Sequence, residues 1–267
     1  MNHLTKELAP VTDAAWAQID EEAERSLKHV LAGRRLLDVT GPLGWTESSV
    51  DLGRIDTLSS APRDGVDAAT RQVQPLVEFR TRFSLAHAEL EAAERGAQLD
   101  LQPVIDASRT AALAEDGAIF HGYAAAGISG LAPASTHAPV TISKDYNRYP
   151  EHVAKAVAAL RAADIAGPYA IALGARCFTG VTETTEHGGY PVFEHLRQIL
   201  GGPVVWAPAV NGAVVVSLRG GDFELTLGQD FSIGYLSHDG TSVQLYLEES
   251  FTLVNHSPEA AVALVYK

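Results

Sequence analysis

Sulfur is nearly missing from this chain. Cys177 is the only cysteine and Met1 the only methionine among 267 residues. A single cysteine excludes an internal disulfide and fits a reducing cytoplasm, where it reads as a small buried hydrophobe. Basic residues are scarce too: 20 Lys and Arg face 33 Asp and Glu, a net charge of -13. Holding nucleic acid through its phosphates requires clustered cations that replace counterions, so this balance argues against a nucleic-acid partner. No apolar run approaches the length that spans a bilayer. The opening MNHLTKELAP has no long apolar stretch after a basic start, so no secretory signal and no membrane partner are expected.

The usual sequence marks of catalysis are also missing. There is no HExxH. His187 and His195 lie eight apart across an expected loop, so the ten histidines read as isolated solvated side chains and no metal site is expected. Gly127 to Gly130, GISG, only brushes against the G-x-S-x-G nucleophile elbow. Neither G-x-G-x-x-G nor G-x-x-x-x-G-K-[ST] occurs, so the many glycines read as turn residues. Cys177 carries no catalytic signature. A triad dispersed along the chain stays open, which keeps a soluble hydrolase as one alternative.

What is present is a hydrophobic content of 46%, enough for one large or two smaller domains with a real core. Thr12 or Asp13 can cap a helix on which Trp16, Ile19, Ala23, Leu27 and Val30 share one face, with Gly33 as its stop. From Gly41 to about Gln74 the chain reads as two extended strands with a polar, turn-rich tip, too little to bury both faces alone. A strand follows in PLVEFRTRF, then a short helix capped by Ser84. Next comes a longer helix from Asp100, with Val104, Ser108, Ala111, Glu115, Ala118 and Ile119 on one face. Glu115 and Asp116 are adjacent and so point in different directions, which disfavours a catalytic carboxylate pair. From Pro133 helices and strands alternate, with a helix from Pro150 and a buried strand YAIALG. Finally, Phe223, Leu225 and Leu227, then Val243, Leu245 and Leu247, alternate with polar residues as strands with one buried face.

Several of these blocks carry a resemblance. RGGDFELTLGQDFSIGY with LYLEESFTL, the segments APVTDAAWAQIDEEA and LAGRRLLDVTGPLGW, and EDGAIFHGYAAAGISGL all resemble encapsulins, and in the same order. These are linocin-like bacterial shell proteins built on the tailed-phage capsid fold. The resemblance implies an α+β chain. Its parts would be an amino-terminal arm helix (1–40), an extended loop (41–75), a peripheral domain with a spine helix (76–132), an axial domain (133–217), and carboxy-terminal strands (218–267) returning to the peripheral domain and the loop base.

By the same resemblance the chain is a catalytically inert shell protomer that self-assembles into an icosahedral cage of sixty copies in the cytoplasm and encloses a cargo enzyme. That cargo would be a dye-decolourising peroxidase or a ferritin-like iron oxidase, held by its carboxy-terminal targeting peptide and serving oxidative-stress defence or iron storage. A prophage-derived capsid protein without cargo is the other alternative. The cargo-peptide groove maps onto Leu27, Arg34, Asp38 and Ile233. A five-fold pore loop maps onto Glu183, Glu186, His187, Gly188, Gly189 and Tyr190, where the glutamates and histidine would form a cation-favouring ring. Some members hold a flavin on an aromatic residue of the short helix. Ala88 stands at that position and cannot stack on a flavin ring, so no cofactor is expected.

Overall fold

The computed structural model describes residues 3–186 and 188–267. The first half comprises α1 (Asp13–Val30), β1 (Asp38–Thr40), β2 (Ser49–Thr57), β3 (Ala69–Pro75), β4 (Val77–Ala86), α2 (His87–Glu94), α3 (Gln102–His121) and α4 (Leu131–Ala134). Then come β5 (Val140–Ile142), α5 (Tyr149–Ala162), β6 (Tyr169–Leu173), α6 (Ala175–Glu183), α7 (Val192–Leu200), β7 (Val204–Trp206) and β8 (Ala213–Ser217). The chain finishes with β9 (Phe223–Leu227), β10 (Ser232–His238), β11 (Ser242–Asn255) and β12 (Ala261–Tyr266).

Local chemistry accounts for the helices. The Thr12 hydroxyl accepts from the Ala15 N–H at 3.4 Å and starts α1, whose Ile19, Ala23, Leu27 and Val30 are buried. The helix closes at Val30, three residues before Gly33. Pro103 sits in the first turn of α3, where a missing N–H costs nothing. Ala107, Ala111 and Ala112 are buried on α3 and keep its surface low, so α1 packs closely against it. Ser84 does not cap α2. It lies in β4 opposite Gln244, because the strand pairing continues to Ala86 before the helix begins.

The long β11 organises the first sheet. One edge pairs antiparallel with β4, and the other pairs with β10 and then β9, while β1 adds parallel to β9. The alternation in LYLEESFTL suggests one buried face, yet β11 is buried continuously from Leu245 to Val254. A strand flanked on both edges is covered on both faces here. Glu248 lies on the face reached by Arg80 and His3, and Glu249 meets Arg34.

The second sheet, ordered β5-β12-β8-β6-β7, forms the core of the axial lobe with α5, α6 and α7. Strand β12 therefore does not return to the peripheral part with the rest of residues 218–267. Ala261, Val262, Ala263 and Leu264 are all buried, and four consecutive apolar residues require a strand covered on both faces, which the lobe supplies between β8 and β5. Among the described residues, β2 and β3 pair only with each other. Ile55, Leu58, Val66 and Val73 stand exposed on and around that hairpin, as the extended reading of residues 41–75 expects.

The link from spine to axial lobe turns on Gly122 and Gly130. A Cβ on Gly130 would lie 2.1 Å from the Gly122 backbone nitrogen and 2.5 Å from the His121 carbonyl carbon. Neither is a side chain that can swing away. Gly130→Ala should lower unfolding stability by about 1–3 kcal/mol or more, measured by denaturant titration, since backbone must move to admit it.

Candidate functional site

A single guanidinium, that of Arg34, sits between four segments far apart in the chain. Its Nε donates to Glu115 on α3 at 2.9 Å and its Nη2 donates to the same carboxylate at 2.5 Å. Nη1 reaches Asp230 at 2.6 Å, Nη2 also reaches Glu249 on β11 at 3.1 Å, and the group lies 4.9 Å from the centre of the Phe231 ring. Glu115 and Glu249 are fully buried. Burial works against the Arg34 charge, but the bonds to Glu115 and Asp230 more than offset it, so its pKa stands above the ordinary arginine value. Burial, followed by the charge of Glu115, holds Glu249 well above the usual carboxylate range. One cation faces three carboxylates, a balance that favours the protonated form of Glu249.

Next to this hub, Asp116 takes the other direction off α3. Its two carboxylate oxygens accept from the Ala32 and Gly33 N–H groups at 2.8 and 2.9 Å and fasten the end of the arm to the spine. Burial pushes its pKa up to about 7, although the two N–H bonds oppose that shift. The divergence of adjacent helical carboxylates holds: Glu115 and Asp116 each have a structural partner, and neither faces a shared reacting atom.

Beside the hub, α1 and β10 enclose a groove of about 490 Å³. Leu27, Leu31, Ile233 and Leu247 form its apolar floor. Its rim carries charges of both signs that are already paired: Lys6 with Asp20 at 2.8 Å, and Lys28 with Glu24. Lys6 also stands over the Trp16 ring at 4.5 Å. Three of the four expected groove residues, Leu27, Arg34 and Ile233, line this space; Asp38 does not. β1 runs beside β9, and Asp38 there accepts from the Gly221 N–H at 2.6 Å, bordering a separate cavity with Arg35 and Phe223. Lys6, Asp20 and Phe231 are groove residues that sequence reasoning missed. Only the three-and-four spacing from Ala23 and Leu27 on α1 points to Asp20, and nothing local points to Lys6.

The loop between α6 and α7 is a tight tip. The Glu186 N–H donates to the Tyr190 carbonyl at 2.8 Å, and the Gly189 N–H donates to the Glu186 carbonyl at 2.9 Å. Gly188 and Gly189 have φ of 113° and 84°, a left-handed pair that other residues enter at a cost. His187 lies outside the described residues. Glu183 is exposed, but Glu186 accepts from His195 Nδ1 at 2.7 Å and is half-buried, so the two glutamates do not stand as equal members of an open ring. Gln198 donates to the Tyr190 hydroxyl at 2.7 Å. The expectation of solvated histidines fails at His152, which is buried, and at His195, because the helices α5 and α7 turn them onto neighbouring elements.

Comparison with known proteins decides the family. The family described as encapsulating protein for peroxidase matches residues 1–252. The type 1 encapsulin shell protein of Rhodospirillum rubrum is 49% identical over 270 residues, covering 99% of this chain and 96% of the relative. The chain belongs to the encapsulin shell proteins. Those of Rhodococcus erythropolis and Mycobacterium tuberculosis are 46% and 44% identical over 265 residues, with 99% of this chain covered in both, 100% of the first relative and 99% of the second. Among solved structures, the virus-like particle from Pyrococcus furiosus aligns with a TM-score of 0.65 at 17% identity over 92% of this chain and 98% of that one. A structure from Gordonia phage Cozz aligns at 0.56 and 11% over 88% and 86%. The fold is thus the α+β capsid fold of tailed phages. As an encapsulin shell protein the chain is a structural component, and the hydrolase alternative falls.

Two outcomes follow from the hub of this encapsulin. Arg34→Met leaves Glu115 and Glu249 buried without their cation and should cost about 3–5 kcal/mol in denaturant unfolding, with part recovered when Glu249→Gln is added. For Asp116 the folded pKa of about 7 lies above the ordinary carboxylate value of about 3.9. Its contribution is therefore fully present below the ordinary value and lost as pH rises through about 7. Unfolding titrations on both sides of that window should show this slope in the wild type, and Asp116→Asn should flatten it.

Proposed function

We propose that this encapsulin shell protein assembles with copies of itself into a closed icosahedral cage of sixty subunits in the cytoplasm. The groove between α1 and β10 then receives the terminal targeting peptide of an enclosed cargo enzyme. The observation that carries this reading is the β2–β3 hairpin, which pairs with no other strand and exposes Ile55 at 66% and Val66 at 50%. An isolated two-stranded hairpin is marginal in water, and a neighbouring copy supplies the burial it lacks. Repeated under closed symmetry, such modest contacts add up to a shell.

The groove supports the cargo half. Leu27 and Ile233 form a floor suited to small aliphatic anchors, and Arg34, already held by its three carboxylates, borders one end. The rim ion pairs do not depend on an occupant, so the groove holds its shape empty. An apolar groove of this kind fits a short extended peptide better than a rigid domain. The matching family description names a peroxidase, which favours a dye-decolourising peroxidase over a ferritin-like iron oxidase and a role in oxidative stress over iron storage. Asp38, outside the groove, anchors the turn before β9 in this reading. Ala88 is exposed and offers only a methyl group to a ring, so the shell carries no flavin.

The test is electron microscopy of protein purified from its native host, with mass spectrometry of what co-purifies and a visible absorbance spectrum. Closed shells, one abundant second protein and no flavin absorbance are expected. Leu27→Gln should leave shells intact while reducing that second protein about tenfold or more, the loss of one buried anchor. Small particles would overturn the assembly, and cargo retained in Leu27→Gln shells would overturn the groove.

A further inference from the structure

The axial lobe holds a cavity unlike the rest of this acidic chain. It has a volume of about 400 Å³ and lies at the amino-terminal end of α5, bordered by β5, the start of α6 and the end of β12. Lys144, Arg148, Arg176 and Lys267 line it, and no acidic side chain does so among the described residues. Four cations gathered in one concave space repel each other, in a protein whose net charge is -13. Their existing engagements leave most of that charge unanswered. Arg148 shares Glu151 with Lys155, at 3.0 and 2.5 Å. Arg176 lies over the Tyr266 ring at 4.6 Å, a contact that orients the guanidinium without neutralising it. Lys144 has no partner among the described residues.

A second observation comes from His152, which also lines the cavity and is only 6% exposed. Neither of its ring nitrogens has a hydrogen-bond partner among the described residues. A buried polar group without a partner is rare in a folded protein, and a bound ion is one of the few things that account for it. Burial lowers the His152 pKa, so the ring is neutral and carries one N–H. The helix end adds the positive pole of the α5 dipole. Every one of these features asks for the same thing, a compact anion with several acceptor oxygens.

We propose that this cavity binds a phosphate-class oxyanion, held by Lys144, Arg148 and Arg176 and approached by His152 at its wall. Charge-assisted bonds from two guanidinium groups give the geometry, and Lys144 supplies a mobile point charge. The concave shape and the lack of a lining Asp or Glu side chain favour a small anion over an acidic segment of a second copy. The volume admits the anion with its water or as an ester.

The experiment is isothermal titration of purified full-length protein, in whatever assembly it adopts, with inorganic phosphate in a phosphate-free buffer and in parallel with glycerol 3-phosphate. Saturable binding of one anion per chain is expected, and the tighter of the two ligands identifies free or esterified phosphate as the source. Lys144 and Arg176 are exposed, so K144Q/R176Q should fold normally and bind at least about tenfold more weakly. Arg109→Gln, at an exposed cation of α3 outside both the cavity and the groove, should bind as the wild type does. Binding that never saturates with either ligand, or a K144Q/R176Q protein that binds like the wild type, overturns the proposal. So does a K144Q/R176Q protein that loses assembly when the wild type never bound phosphate, because that result assigns the cations to a contact between copies.

Discussion

The Arg34 guanidinium ties the arm to the spine helix, to the central strand and to the turn before β10. Each of those elements approaches it for its own reason, but only the ion cluster holds them in one register. Buried ion pairs are poor sources of stability compared with apolar packing, and they penalise misplacement heavily. Three carboxylates around one cation, with Asp116 beside them on two backbone N–H groups, make the penalty specific. An arm displaced by one turn would leave Glu115 and Glu249 unanswered in the core and Asp116 without its two N–H donors.

The groove inherits its geometry from that constraint. α1 could lie against α3 through its apolar face alone, and Ile19, Ala23 and Leu27 would accept small shifts along it. The hub removes that freedom and fixes how far α1 stands from β10. The groove floor is thereby set by residues that do not line it.

The hairpin shows the opposite economy. β2 and β3 carry no hub and no covering layer, and their apolar side chains remain in solvent in a single chain. Most of the subunit completes its own core, while this excursion leaves its apolar side chains uncovered. The axial lobe, closed by β12 from the far end of the chain and sharing its core with Phe223, Leu225 and Phe251 of the first sheet, holds the loop tip and the cationic cavity at defined places.

Periodicity and turn chemistry were enough to locate α1, α3, the β2–β3 excursion and the alternating lobe, because each is decided by neighbours within a few residues. Ordered motifs such as RGGDFELTLGQDFSIGY and EDGAIFHGYAAAGISGL were enough to indicate the family. Local pattern misled wherever a distant segment supplied the cover. Alternation in β11 suggested a wet face that His3 and Arg80 close, and position alone placed β12 with its sequence neighbours when its four buried residues needed the other sheet. Leu27, Arg34 and Ile233 were found as groove residues, but Asp38, four positions from Arg34, faces another cavity because β1 pairs with β9. The partners of Arg34 lie 81, 196 and 215 positions away. No spacing rule reaches that far: a charge in a low-dielectric interior is satisfied by whatever the folded chain brings within about 3 Å, and only the completed fold sets that distance.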